Sequence, residues 1–262
     1  MLHYLVYFLI AIGATTAGAI TGMGGGVIIK PLLDILGDYD VSTIGLLSSM
    51  AGFTMSSVSV GKQISQKIRI RYPTAIPIAL GSVAGGFIGQ KLLEIVVNGI
   101  PANGMIVIMQ NAILGLLILG VFIYMRYKDR VRTLGLSGLF PSVLTGIILG
   151  ILSSFLGIGG GPFNVAIIMF MFSFDIKTAT VCSIITILFA QVSKLVSVAL
   201  TTGFHGFDLS TLPFILVGAV AGGYIGTVIN KAVPDSKVEL CFNGVQVLVL
   251  AIAVLNIVNN II

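Results

Sequence analysis

Charge is what this sequence has least of. Only 9% of its 262 residues are Asp, Glu, Lys or Arg, against roughly 25% in soluble globular domains. The chain therefore lacks the polar side chains needed to coat a water-soluble fold. Tryptophan is absent, and the two cysteines, Cys182 and Cys241, stand alone in apolar runs without C-x-x-C spacing. That argues against a disulfide scaffold or a zinc module, and both thiols read as small buried hydrophobes. His3 and His205 are isolated near the ends of apolar runs, where interfacial residues are expected rather than metal ligands. With no H-E-x-x-H, no Ser–His pair at matched depth and no cysteine cluster, neither an enzyme nor a metal or other cofactor is expected. The formal net charge of +5 is not a nucleic-acid signal, because the basic residues form short clusters beside apolar spans. The basic loop 62–72 reads as a topogenic, lipid-facing loop.

Apolar sequence fills the chain instead: 56% of residues are hydrophobic and the mean hydropathy is +1.11. Eight long apolar spans are read at 3–22, 41–61, 73–97, 103–125, 138–157, 178–200, 209–230 and 239–258, each near the ~20 residues that cross a bilayer core as a helix. Two shorter segments, 26–36 and 162–174, follow glycine runs. At 1.5 Å per residue the first reaches only about 16 Å, half the hydrocarbon thickness. The expected fold is an all-α membrane protein with eight long transmembrane helices and two short ones, half-length or re-entrant, in the cell (cytoplasmic) membrane. The apolar N-terminus has no basic region ahead of it and has a counterpart later in the chain, so it reads as a span rather than a signal peptide.

The chain repeats itself. Gly24-Gly25-Gly26 and Gly159-Gly160-Gly161 are 135 positions apart, as are Asp40 and Asp175, and Thr43 and Thr178. Ala84-Gly85-Gly86-Phe87-Ile88-Gly89 matches Ala221-Gly222-Gly223-Tyr224-Ile225-Gly226 at an offset of 137, and Pro101 matches Pro234 at 133. Two tandem repeats, 1–132 and 133–262, thus form one membrane domain. If each crosses four times they are parallel, and basic residues divide eight to four between the two sides. If the short segments also cross, the second repeat is inverted. Lys62, Lys67, Arg69, Arg71, Arg126, Lys128, Arg130, Arg132, Lys177, Lys231 and Lys237 then share one side, with only Lys91 opposite. The positive-inside rule favours this inverted 5+5 arrangement, a recurring plan for secondary transporters.

The strongest motif is the pair Gly22-Met23-Gly24-Gly25-Gly26 and Gly157-Ile158-Gly159-Gly160-Gly161. Glycine runs disfavour helix, so the backbone is expected to unwind here, which at membrane depth requires protein or a water-filled cavity around it. The short helix that follows then offers free N–H groups and the positive end of its dipole to an anion. The competing reading is that these glycines only permit close helix packing, which is the reading adopted for Gly85, Gly86, Gly222 and Gly223. A dinucleotide fingerprint fits poorly, since no strand or acidic partner accompanies the glycines.

The duplicated G-x-G-G-G turn beside a short apolar segment, in a chain with eight strong spans, resembles the TauE/SafE sulfite-exporter family over nearly the whole length. That resemblance implies a transporter of sulfite, sulfonates or related organosulfur anions.

Ionisable groups at membrane depth are costly and therefore candidates for function. Lys30 and Asp34 are spaced i,i+4 on the first short segment. They read either as a neutralising structural pair or as an anion's counter-charge with a carboxylate that holds it or takes a coupling proton. Lys194 lies inside the sixth long span near Gln191 and Ser197, and either snorkels to the interface or serves a ligand or gate. Gln110 and Asn111 could donate to oxyanion oxygens or tie helices together. Asn164, just after the second turn and Pro162, is better placed to reach a ligand, and Ser48, Ser49, Ser183 and Thr186 could line a central path. The expected substrate site is therefore Gly24, Gly25, Gly26, Gly159, Gly160, Gly161, Asn164, Lys30, Lys194, Ser48, Ser183 and Gln110, with Asp34 in coupling. The expected function is secondary transport of a small anion by alternating access, driven by the membrane potential or a proton. An anion channel, or a carrier of a carboxylate or other non-sulfur anion, is the alternative.

Overall fold

The computed structural model describes residues 2–99 and 103–261, and every regular element among them is an α-helix. Pro101, one of the repeat landmarks, lies outside the described residues. The helices are α1 (Leu2–Thr21), α2 (Gly26–Leu36), α3 (Val41–Ser65), α4 (Tyr72–Gly99), α5 (Asn103–Tyr127), α6 (Leu139–Phe155), α7 (Pro162–Phe172), α8 (Ile176–Leu200), α9 (Leu212–Ala232) and α10 (Asp235–Ile261). Seven of them, α1, α3, α4, α5, α8, α9 and α10, are long and apolar enough to cross a membrane. The remaining long span read from the sequence, 138–157, folds as α6 with 17 residues, about 26 Å at 1.5 Å per residue. It stops because Gly157, at φ +68, takes the left-handed conformation that ends helices.

Local chemistry explains the short elements. α2 and α7 have 11 residues each. α2 closes on Gly37 at φ +69, whose N–H donates to the Leu33 carbonyl. α7 opens with Pro162, whose missing N–H costs nothing in a first turn. The matched Asp40 and Asp175 perform one job: Asp40 accepts from the N–H groups of Ser42 and Thr43 to cap α3, and Asp175 accepts from Thr178 to cap α8. Burial pushes the Asp175 carboxyl up, but hydrogen bonds from the Thr178 hydroxyl and N–H outweigh it and hold the group below the usual carboxylate range.

Helices from the two halves of the chain interleave. α1 packs chiefly on α9, and α4 on α6. Both contacts are built on glycine. Side chains at Gly81, Gly85 and Gly89 would collide with α6 backbone at Val143, Ile147 and Ile151 in turn, and Gly218, Gly222 and Gly226 climb α1 in the same way from Phe8 to Thr16. Residue numbers rise together in each pair, so both pairs run parallel. α3 and α8 instead run antiparallel, with Gly45 against Lys194 and Gly52 against Gln191. α3 lies parallel to α9, where Ser59 donates to the Gly223 carbonyl and Lys62 to the Tyr224 hydroxyl.

These directions sort the loops to two ends. At one end Lys231 donates to the Gln66 carbonyl, Lys177 stands 3.9 Å from Asp235, Lys128 pairs with Glu239, and Leu134 N–H bonds to the Phe170 carbonyl. The α3–α4, α5–α6, α7–α8 and α9–α10 joints therefore meet there, and they and their flanking helix ends carry eleven of the 14 basic residues. At the other end Tyr7 donates to Asp38 and Tyr39 to Thr211. The cysteines divide. Cys182 is buried as expected, whereas Cys241 is exposed, correcting the reading that both are buried. An apolar run does not say which face of α10 a residue occupies, and Cys241 falls on the outward one.

Candidate functional site

The two glycine turns meet inside the protein. A Cβ on Gly26 would overlap the carbonyl of Ile158, and one on Gly160 would lie 3.0 Å from the carbonyl oxygen of Met23. On Gly24 it would come within 3.6 Å of the Gly159 oxygen. Each turn thus presses its backbone on the other, which only residues without side chains permit. Gly24 and Gly160 also hold φ values of +82 and +144, where an L side chain is strained. Gly25 differs: at φ −65 it is conformationally ordinary, and its side chain is excluded by Thr15 of α1.

Both turns end in a helix N-terminus. The N–H groups of Gly24, Gly25 and Gly26, and those of Gly160 and Gly161, meet no backbone acceptor among the described residues. Unpaired first-turn donors are general to helices; here the two turns that carry them pack against each other inside the protein. The carbonyls are engaged instead. Ser183 donates to the Gly22 oxygen at 2.6 Å, Thr180 to Thr21 at 3.2 Å and Ser48 to Gly26 at 3.2 Å. Ser48 and Ser183 are therefore drawn to the first turn, from α3 and α8 respectively.

The two buried lysines approach the contact between Gly157 of the second turn and Gly45 of α3. Lys30 Cε is 3.3 Å from the position a Cβ on Gly157 would take, and Gly45 Cα is 3.4 Å from it. From the other side Lys194 Nζ donates to the Gly45 carbonyl at 3.1 Å. Lys194 is 2% exposed, so it does not snorkel to an interface. Lys30 Nζ is 2.9 Å from Asp34 Oδ2, with the side chains 2% and 0% exposed. Asn111 Nδ2 donates to the same carboxylate oxygen at 3.4 Å, and Asn256 Nδ2 donates to the Pro31 carbonyl and to Asn111 Oδ1. Desolvating two charges costs several kcal/mol per ion, which close pairing and added hydrogen bonds offset.

The amides complete the arrangement. Gln191 lies so close over Gly159 that a Cβ there would overlap its Nε2, while its Oε1 has no partner among the described residues. Gln110 Nε2 donates to the Phe155 carbonyl at the end of α6, leaving Oε1 without a partner among the described residues. Asn164 is fully buried with neither side-chain polar atom partnered among the described residues. An orphaned buried polar group costs about 1–3 kcal/mol, so Gln191 and Asn164 carry groups a polar ligand or water would satisfy. Gln110 instead sits beside Lys30, Asp34 and Asn111, packed too tightly to admit a water molecule. From the less basic end, a cavity of about 150 Å³ lined in part by Ser42, Gln90, Glu94 and Lys194 leads inward.

Asn256, Gly45 and Gly52 are absent from the candidates read off the sequence. Asn256 left a usable signal, a lone amide within the apolar run Ala253-Val254-Leu255-Asn256-Ile257-Val258. Gly45 and Gly52 share a seven-residue spacing with the small residues Ser49 and Ser56 on α3, a face able to admit the Lys194 and Gln191 side chains.

A family model described as "Sulfite exporter TauE/SafE" matches residues 7–254. The chain is 29% identical over 241 residues to a "Probable membrane transporter protein YdhB" of Bacillus subtilis (strain 168), covering 89% of this chain and 91% of that one. It is 25% identical over 241 residues to a "Probable membrane transporter protein MJ0441" of Methanocaldococcus jannaschii, covering 87% and 86%. No solved structure matches.

Proposed function

We propose, from the premise that the chain belongs to the sulfite exporter TauE/SafE family and is a multi-pass membrane transporter, that it carries a small sulfur oxyanion or organosulfonate by alternating access. The observation that carries this reading is the meeting of two unwound glycine turns, each opening a helix N-terminus, with the Lys30 side chain against Gly157 of the second turn and the Lys194 amine on the carbonyl of the adjoining Gly45. Backbone N–H groups and two amines suit a compact anion. Asp34, balanced against Lys30, is the group placed to take a coupled proton once an anion neutralises that lysine. Gln191 and Asn164 supply further donors.

Alternating access is supported by the exchange of partners between the halves 1–132 and 133–262. α1 on α9 is mirrored by α6 on α4, and α3 on α9 by α8 on α4. Two inverted repeats related in this way can rock about the turns into two states of similar energy.

A thermal-shift and flux screen with sulfite, sulfate, thiosulfate, sulfonates and carboxylates tests the substrate class. Sulfur oxyanions should stabilise the purified protein by about 2.7 kcal/mol at a hundred times Kd, and proteoliposomes should take them up at carrier rates. Stabilisation by carboxylates alone would replace the sulfur assignment, and single-channel conductance would replace the carrier.

Inversion predicts sidedness. After Cys182 and Cys241 are removed, cysteines at Ser65 and Ser236 should both resist an impermeant thiol reagent in intact cells, while one at His205 is labelled. Labelling at Ser236 with protection at His205 would support parallel repeats.

A further inference from the structure

At the basic end a second cavity, of about 230 Å³, opens between the α3–α4 loop, α8 and α9, lined in part by Arg69, Lys177, Thr178, Asn230 and Lys231. Three lining residues are cationic and none is acidic. Arg69 makes no ion pair among the described residues, and Asp235 stands 3.9 Å from Lys177 with 55% of its side chain exposed. The nearby Asp175 carboxylate is occupied in capping α8. One lining residue, Asn230, donates from Nδ2 to the Ile20 carbonyl at 2.6 Å, in the last turn of α1 just ahead of the first glycine turn.

The cavity at the opposite end is its repeat counterpart with different charge. At the offsets of 135 and 137, Ser42 there corresponds to Lys177, Leu46 to Val181, Leu93 to Asn230 and Glu94 to Lys231. The repeat therefore supplies a vestibule at both ends, and the residues make one cationic and place a carboxylate in the other. We propose that Arg69, Lys177 and Lys231 form a recruitment site that gathers the transported anion at the basic end and passes it to the first glycine turn. This rests on the anion-transport reading above. A cleft lined by one sign of charge raises the local concentration of its counter-ion.

The test compares two triple variants in proteoliposomes, with sulfite as probe and a sulfonate and sulfate in parallel. The variant R69Q/K177Q/K231Q should lower the rate at sub-saturating anion by about tenfold or more. Added salt should slow the wild type toward the variant, since the Debye length falls from about 10 Å at 0.1 M to about 3 Å at 1 M. The control K67Q/R130Q/R132Q removes equal charge from the same end outside the cavity and should stay within about twofold of wild type. The charge-preserving R69K/K177R/K231R should keep the rate, which separates charge from misfolding. Equal losses in both neutralised triples, no loss in either, or a reversed labelling pattern at Ser65 would overturn the site and leave these residues topogenic. Vesicles of phosphatidylcholine alone should support full transport, and a requirement for phosphatidylglycerol would assign the cavity to a lipid phosphate instead. A wild type that moves none of the anions would refute the transport reading and this site with it, whereas a transporting wild type with unaffected variants refutes this site alone.

Discussion

Alanine at Gly24 should stop transport, whereas alanine at Gly37 should leave it near the wild-type rate. The two positions form a matched pair. Gly24 holds φ +82 and Gly37 φ +69, so each substitution forces an L side chain into the left-handed region at about 1–2 kcal/mol. Neither meets a hard clash: a Cβ on Gly37 has no neighbour within 4 Å, and one on Gly24 comes 3.2 Å from Ile187 Cδ1, the flexible tip of a side chain. The stability costs should therefore agree, and melting temperatures of the purified variants check that. What differs is location, since Gly37 closes α2 at the less basic end while Gly24 faces Gly159 and Gly160 of the other turn. A methyl group at Gly24 intrudes where an anion would meet the turn's N–H groups. Gly26→Ala should be worse in both respects, because its methyl overlaps the Ile158 carbonyl and drives the turns apart. Equal transport by Gly24→Ala and Gly37→Ala would remove the first turn from the site.

The second large effect concerns the pair Lys30–Asp34. Asp34→Asn strands a buried ammonium and Lys30→Gln strands a buried carboxylate, each at about 3–5 kcal/mol. The pair is 2.9 Å apart and shielded from solvent, so water cannot take over from the lost partner. Lys30→Gln should be the milder of the two, because Asn111 still donates to the carboxylate. The double variant Lys30→Gln/Asp34→Asn removes both charges and should recover most of the lost melting temperature. It should not recover transport, because the Lys30 ammonium offered to the anion is gone. A stable double variant that transports at the wild-type rate would make the pair purely structural and take Lys30 out of the site.

Much of the site could be read in one dimension because its parts are local. Glycine runs cannot sustain a helix, so both turns and the short helices beyond them were visible as sequence. The carboxylate caps Asp40 and Asp175 were visible for the same reason, since each acts on N–H groups two or three residues away. The i,i+4 spacing of Lys30 and Asp34 likewise announced a pair on one helix face. Lys194 was ambiguous, because distance from a span end is compatible with either snorkelling or burial, and only the packing of α8 on Gly45 selects burial. Asn256 stands out in the sequence as a lone amide, but its role is not local, because its partners, Pro31 and Asn111, are 225 and 145 positions away.

The sequence by itself determined that this is a helical membrane protein, where its backbone unwinds and which residues could carry charge to membrane depth. These follow from composition, chain-local geometry and the cost of burying charge, and none requires knowing how the helices pack. The tertiary structure alone decided that the two turns oppose each other, that Lys30 of the first short helix lies against the second turn, and that Glu94 and Lys231 line separate cavities. Those facts depend on contacts between helices more than a hundred residues apart, such as α1 on α9 and α3 on α8. Glycine stripes permit such contacts on many faces, but the partner is chosen only when all the helices pack together.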